Sequence, residues 1–186
     1  MKKLSLYVSI LKKTKLVKQR RFLALAKDKN VKTNAMRILD RAKVKYKVNY
    51  YECDEFIDGI HIADKLSQPY EISFKTLVTK GKSGEHYVFS LPVHKEIDMK
   101  KAARAVGEKS IEMIHVKDIK DLTGYIRGGC TSIGMKKQFK TVFDLSLLEH
   151  DEVIISGGAL GIQIFISPSD LLRVTNGKTE NIVFEQ

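Results

Sequence analysis

Gly124, Gly128, Gly129 and Gly134 fall within eleven positions of one stretch, residues 123–137, and Arg127, Lys136 and Lys137 stand beside them. Glycine reaches backbone angles that other residues avoid and lets a ligand approach the main chain closely. Backbone N–H groups exposed in this way, with cations nearby, suit a phosphate or a polarised carbonyl. A glycine-rich surface turn with solvated lysines accounts for the same residues, so the stretch needs partners elsewhere in the chain. One candidate is Lys75, inside the apolar run Ile72-Ser-Phe-Lys-Thr-Leu-Val78. Alternation puts it with Ser73 and Leu77, opposite Phe74, Thr76 and Val78. A mid-strand lysine either faces solvent or aims a cation into a cleft, where it binds phosphate or carboxylate.

Other nucleophile patterns are weaker. Ser156-Gly-Gly-Ala-Leu-Gly161 is not a nucleophile elbow, because Ile154 occupies the first glycine position of G-x-S-x-G. Nor does it carry the Lys-Ser/Thr that ends a phosphate-binding P-loop. Cys130 follows Gly128 and Gly129, yet no base is placed to activate its thiol, and a small lining residue is the simpler reading. Paired carboxylates at useful spacing are absent. His61, His86, His94, His115 and His150 share no metal-ligand spacing, so no structural metal and no cofactor are expected. Cys53 and Cys130 are too few and too far apart for a disulfide framework, which points to a reduced, cytoplasmic compartment.

These residues need elements to hold them. Thr33 or Asn34 caps a helix that runs to about residue 43, followed by an aromatic strand over 46–52. Residues 59–67 have helical spacing. Strands over 72–80 and 86–91 form a hairpin about Gly81-Lys-Ser-Gly84. Asp98 caps a helix closed by Gly107. A short apolar stretch at 111–116 precedes a helical turn over 116–122 that delivers the glycine-rich loop. Strands follow at 141–145, 152–156 and 162–166. Ser167-Pro168 opens a short helix to about residue 174, and a last strand is expected at 181–184. Six to eight strands and four or five short helices without a strict β-α-β rhythm describe an α+β fold. It is a single domain with a mixed, partly barrel-like sheet surrounded by short helices.

The chain of 186 residues holds 33 Lys/Arg against 22 Asp/Glu, a net charge of +11. Ten of those basic residues lie in residues 1–31 against Asp28 alone, which is +9 of the total and leaves +2 for residues 32–186. The basicity therefore belongs to an N-terminal extension, 1–31, and the body, 32–186, is nearly neutral. The apolar run Leu4 to Leu11 is short, lacks a small-residue cleavage site and is followed by Lys12, Lys13 and Lys15, so secretion is not expected. The extension fits a disordered or weakly helical arm that contacts RNA phosphates, an interfacial amphipathic helix, or a segment upstream of a later start near Val31. The last is favoured, because the globular pattern begins abruptly at Lys32. No apolar run approaches the roughly 18 residues of a membrane span.

Taken in order, Lys32-Thr-Asn-Ala-Met-Arg-Ile-Leu, Phe74-Lys-Thr-Leu-Val, Met99-Lys-Lys-Ala-Ala-Arg-Ala-Val-Gly, Thr123-Gly-Tyr-Ile-Arg-Gly-Gly-Cys-Thr-Ser-Ile-Gly and Ser156-Gly-Gly-Ala-Leu-Gly-Ile-Gln-Ile closely resemble the YbaK/EbsC family of trans-editing aminoacyl-tRNA deacylases. The nearest branch is the bacterial Cys-tRNA(Pro) deacylase, related to the editing domain inserted in some prolyl-tRNA synthetases. The resemblance covers residues 32–186. It implies a YbaK-like fold and hydrolysis of the ester joining a wrong amino acid to tRNA(Pro), without metal or cofactor and away from membranes. The partners implied are the 3′ end of tRNA(Pro) and prolyl-tRNA synthetase. The family's essential lysine matches Lys75 with Thr76 beside it, and its glycine loop matches Gly128 and Gly129, with Tyr125 in the same motif. The second glycine turn matches Ser156 and Gly157, and the first-strand aromatic matches Tyr51. Lys75 and Gly128 are thereby the catalytic candidates; Tyr51, Thr76, Tyr125, Gly129, Ser156 and Gly157 are the substrate-binding candidates. Asp58 stands near a family aromatic, with Phe56 and Ile57 beside it; Ser132 replaces a common proline; Gln163 stands where some relatives carry Asp or Ser. These departures bear on which side chain is edited rather than on the reaction class. A non-catalytic module that binds aminoacyl-tRNA or a nucleotide is the alternative.

Overall fold

The structure, a computed structural model, describes residues 32–53 and 55–184. The chain divides into units Met1–Lys32 and Thr33–Gln186, and the elements of the fold belong to the second. The expectations for residues 1–31 lie outside the described residues.

The local signals act where the sequence places them. Thr33 Oγ1 accepts from the Met36 N–H and opens α1, Asn34–Arg41, whose Ala35, Met36 and Leu39 are buried. Such a cap is worth about 1 kcal/mol. β1, Tyr46–Tyr50, comes next. Beyond its end the Tyr51 N–H still donates to the Gly161 carbonyl at 2.9 Å, in register with the β1–β7 pairing. Asp58 caps α2, Gly59–Leu66, by accepting from Ile60 and His61 N–H. β2, Phe74–Gly81, and β3, His86–Pro92, pair antiparallel. Their turn is closed by Gly84 N–H to the Gly81 carbonyl at 2.9 Å.

Asp98 caps α3, Met99–Val106, and Gly107 ends it at φ 84, the left-handed conformation that favours glycine at a helix C-terminus. β4, Ile111–Met113, adds to β2 and leads into α4, Val116–Thr123. β5, Lys140–Asp144, runs into a 3-10 turn, Leu145–Glu149. β6, Val153–Ser156, and β7, Ile162–Ile166, pair antiparallel. Ser167 and Pro168 open α5, Pro168–Thr175, as their types require. β8, Lys178–Glu180, is the last strand among the described residues.

The eight strands of the described residues form two ladders, a three-stranded sheet in the order β1-β7-β6 and a five-stranded sheet in the order β4-β2-β3-β5-β8. β3 with β5 and β5 with β8 are parallel, and the remaining pairs are antiparallel, which is the mixed α+β arrangement the element order predicts. The sheets meet where Ser73 bridges Ile154 and the Ile154 N–H donates to the Ile72 carbonyl at 2.7 Å. One core lies between α1, α5 and the three-stranded sheet, around Met36, Leu39, Phe74, Ile155 and Ile164. A second lies between α3 and the five-stranded sheet, around Phe89, Leu91, Ala102 and Val142. β2 serves both: Phe74 enters the first and Leu77 packs on the second, as alternation requires.

One element is displaced from expectation. The last strand is Lys178–Glu180, not 181–184, where only Val183 forms a bridge, to Ile97. The backbone there is claimed by loops: Ile182 N–H donates to the buried Asp144 carboxylate and the Ile182 carbonyl accepts from Asp98 N–H. No helix among the described residues is long and apolar enough to cross a membrane.

Candidate functional site

A cavity of about 410 Å³ opens where the two sheets meet. β2 contributes Lys75 and Thr76, β6 ends in it at Ser156, and the chain leaving β1 places Tyr51 there. From the long glycine-rich loop come Arg127, Gly128 and Cys130. Five of the eight expected site residues, Lys75, Gly128, Tyr51, Thr76 and Ser156, therefore line one cavity, although they come from four separate stretches of chain.

The other three stand just behind it. Tyr125 is buried, and its hydroxyl donates to the Ile133 carbonyl at 2.7 Å, so it pins the loop from within. Gly129 is closely packed: a Cβ there would lie 3.1 Å from the Ala159 backbone, so its small size lets the two glycine turns touch. The Gly157 carbonyl accepts from Thr33 Oγ1 at 2.6 Å, which ties the second turn to the start of α1.

Lys75 is half-buried, and its ammonium donates to the Val93 carbonyl at 2.9 Å. Burial holds its pKa below the ordinary lysine value, while the Glu96 and Asp58 carboxylates oppose that shift. The cation thus sits in a partly dry site where its attraction for an anion is greater than in water. Gly128 adopts φ +80, and a Cβ there would lie 2.7 Å from Leu160 Cδ2 and 3.0 Å from Phe56 Cδ2. Only glycine meets both conditions. The Gly129 N–H is occupied by the Ile126 carbonyl at 3.0 Å, whereas the Gly128 N–H has no partner among the described residues.

The remaining ionisable groups are unsuited to nucleophilic work. Burial raises the Cys130 thiol to about 11, against a smaller opposing effect of a hydrogen bond with Thr123. The thiol is therefore protonated near neutrality. Burial likewise raises Tyr51 to about 12, with Cys53 adding to the shift and the Gly161 backbone opposing it. Among the described residues no histidine lines the cavity. Among them, too, no group of three His, Cys, Asp or Glu side chains could hold a metal ion.

Two features had no clear signal in the sequence. The Arg127 guanidinium lies 3.9 Å from the centroid of the Phe56 ring, a cation–π contact joining the glycine loop to the segment before α2. Gln163, buried in the cavity wall, exchanges a pair of 2.9 Å amide hydrogen bonds with Gln68 and accepts a third from Asn49 at 3.2 Å. Near the position of the family aromatic, Phe56 and Ile57 line the cavity, while Asp58, also at its edge, caps α2.

A half-buried cation, a backbone N–H without a partner among the described residues at a left-handed glycine, and an apolar cavity are groups with the chemistry to orient a reactive acyl ester. The chain belongs to the aminoacyl-tRNA editing domain family, which it matches over residues 61–174. It is 40% identical over 156 residues to an Enterococcus faecalis protein provisionally named Cys-tRNA(Pro)/Cys-tRNA(Cys) deacylase EbsC, covering 83% of this chain and 95% of that relative. Among solved structures, a provisionally assigned trans-editing enzyme for prolyl tRNA synthetase matches with a TM-score of 0.71 and 22% identity, over 84% of this chain and all of the other. A hypothetical protein of known crystal structure matches with a TM-score of 0.75 and 18% identity, over 82% of this chain and all of the other. At those identities the structural likenesses speak for the fold alone, and it is the fold expected from the motifs.

Proposed function

We propose that this chain is a trans-editing enzyme that removes a wrong amino acid from tRNA, with Cys-tRNA(Pro) as its substrate. The observation that carries this reading is the meeting of Lys75, Gly128 and Ser156 in one cavity, where the described residues supply no activated nucleophile and no histidine base. An aminoacyl ester is already reactive, so a site need only orient it and stabilise the oxyanion that forms as the carbonyl is attacked. The Gly128 N–H is a donor for that oxyanion. The Lys75 ammonium holds the negative charge of the tRNA 3′ end. The attacking group is water or a group of the substrate itself; its bond to the carbonyl carbon gives the oxyanion, which collapses as the bond to the ribose oxygen breaks, and that oxygen leaves with the proton given up by the attacking group.

Tyr51, Thr76 and Ser156 shape the acyl pocket. Tyr125, Gly129 and Gly157 serve the substrate indirectly, by holding the two turns in register. The deacylase body is residues 32–186, and the basic extension is an adjunct to it. Because the body sums to only +2, it offers little net charge to select one tRNA by itself. Prolyl-tRNA synthetase supplies that selection, in the cytoplasm where aminoacylation takes place.

The test is hydrolysis of Cys-tRNA(Pro), Ala-tRNA(Pro) and Pro-tRNA(Pro) by the wild-type protein and by Lys75→Ala. Rapid loss of the cysteinyl ester, slowed at least about a hundredfold in the variant, is the expected result. No hydrolysis of any of the three esters, with the synthetase added, would overturn it in favour of a binding module.

A further inference from the structure

Residues 116–137 carry Lys117, Lys120, Arg127, Lys136 and Lys137 against Asp118 and Asp121, a net +3 inside a body that sums to +2, so the rest of residues 32–186 is net −1. All five cations are exposed. The body is nearly neutral in total and polarised in arrangement.

That charge sits on the rim of the cavity. α4 buries only Thr123, and its Val116 and Ile119, three residues apart, line the cavity. Lys117 and Lys120 share the neighbouring face, with Asp118 and Asp121 on the next one around. Loop residue Lys136 adjoins the helix, its N–H donating to the Thr123 carbonyl at 3.0 Å and its Nζ to the Asp121 carbonyl, also at 3.0 Å, and the exposed Lys137 follows it in the chain. Arg127 continues the ridge to the cavity wall, where it stacks on Phe56. A cavity of about 410 Å³ admits the acylated end of an RNA and leaves the rest outside. A polyanion trailing from that mouth is favoured where it can lie along these cations, which adjoin the cavity through Val116, Ile119 and Arg127.

We propose that α4 and the loop after it form a phosphate-contacting ridge that carries the acceptor end of the RNA, with Lys117, Lys120 and Lys137 as its contacts beyond the cavity. This rests on the deacylase reading and names where its substrate lies. The ridge is sequence-independent, because lysine contacts to phosphate carry no base information. It is therefore compatible with a partner protein choosing the tRNA.

The experiment compares the full-length wild type with the triple variant Lys117→Gln, Lys120→Gln, Lys137→Gln. Substrates are Cys-tRNA(Pro) and a short 3′-cysteinyl-adenosine ester without stem phosphates, and binding of uncharged tRNA is measured over a range of salt. Loss of three phosphate contacts should raise KM for the tRNA about tenfold or more at low salt and flatten the log affinity against log salt slope by about two to three. The short ester should be cleaved by the variant within about twofold of wild type, since these lysines lie outside the cavity. Unchanged tRNA affinity and salt slope would overturn the ridge. So would loss of synthetase binding with RNA affinity intact, which assigns the surface to a protein. Failure of the wild type to cleave either ester overturns the deacylase reading instead, and the uncharged-tRNA binding still decides the ridge.

Discussion

Two glycine-rich turns meet at the cavity, and they use their backbones differently. In the first, Gly128 adopts φ +80 and leaves its N–H without a partner among the described residues. In the second turn, hydrogen bonds at the glycines run within the turn and to its neighbours. Gly157 N–H donates to the Ile162 carbonyl at 2.9 Å, the Gly161 carbonyl accepts from Tyr51, and the Gly157 carbonyl accepts from Thr33. Even the Gly158 N–H reaches Ser156 Oγ, at 3.4 Å. Glycine content is therefore a poor guide to chemistry. What distinguishes a site from a scaffold is whether the exposed polar backbone is still unclaimed once the fold is formed. At Gly128 the first turn keeps a donor without a partner among the described residues, and the second packs its Ala159 backbone on Gly129 and ends β6 at Ser156.

That contrast can be broken by substitution. Gly128→Ala should have the largest effect on catalysis, a fall in kcat of about 10²- to 10³-fold. It adds a Cβ 2.7 Å from Leu160 at a left-handed position, with a stability loss of about 1–2 kcal/mol. Gly157→Ala should do the reverse. Its Cβ would lie 2.5 Å from Ile162 Cγ2, so thermal unfolding should fall by several degrees, for a loss of about 1–3 kcal/mol. The kcat of the folded protein should stay within a few-fold of wild type. Equal catalytic losses in the two variants would erase the distinction.

Thr33→Val removes both the α1 cap and the hydroxyl that donates to Gly157. A loss of about 1–2 kcal/mol in chemical denaturation, with little change in kcat, is expected.

A pH profile sharpens the role of Lys75. Burial lowers its pKa in the folded protein, so activity that needs the ammonium should decline below the usual lysine range. Stability moves the other way. Keeping Lys75 charged in a half-buried site costs stability at neutral and lower pH, and that cost is relieved as pH rises through the lowered folded pKa. Opposite slopes of kcat/KM and unfolding free energy along the alkaline limb are the expected signature. Lys75→Arg, always charged, should remove the limb. The smallest effect is that of Cys130→Ala. With its thiol raised to about 11, the residue is inert near neutrality, and activity should remain within about twofold.

Much of the framework was legible locally. Thr33, Asp98 with Gly107, and Ser167 with Pro168 each start or stop a helix at the expected residue, because caps act over three or four residues. The aromatic and apolar strands appear because alternation survives even where both faces of β2 are covered. β8 escaped notice because Lys-Thr-Glu carries no apolar pattern; it is a three-residue strand at the edge of its sheet, beside β5. The division into two ladders and the Gln68–Gln163 amide pair depend on contacts across about a hundred residues, where spacing gives no signal.

The order of residues was enough to fix the kind of elements, the glycine that closes α3, the near-neutral charge of the body and, through five motifs in order, the family. It did not reveal that Lys75 is half-buried, that Cys130 is a protonated lining residue, or that Gly128 lines the cavity while the N–H groups of Gly129 and Gly157 are bonded to Ile126 and Ile162. Those properties arise only on folding, because they belong to neighbours brought from far away in the chain, as with the hydroxyl of Thr33 that reaches Gly157 across 124 positions.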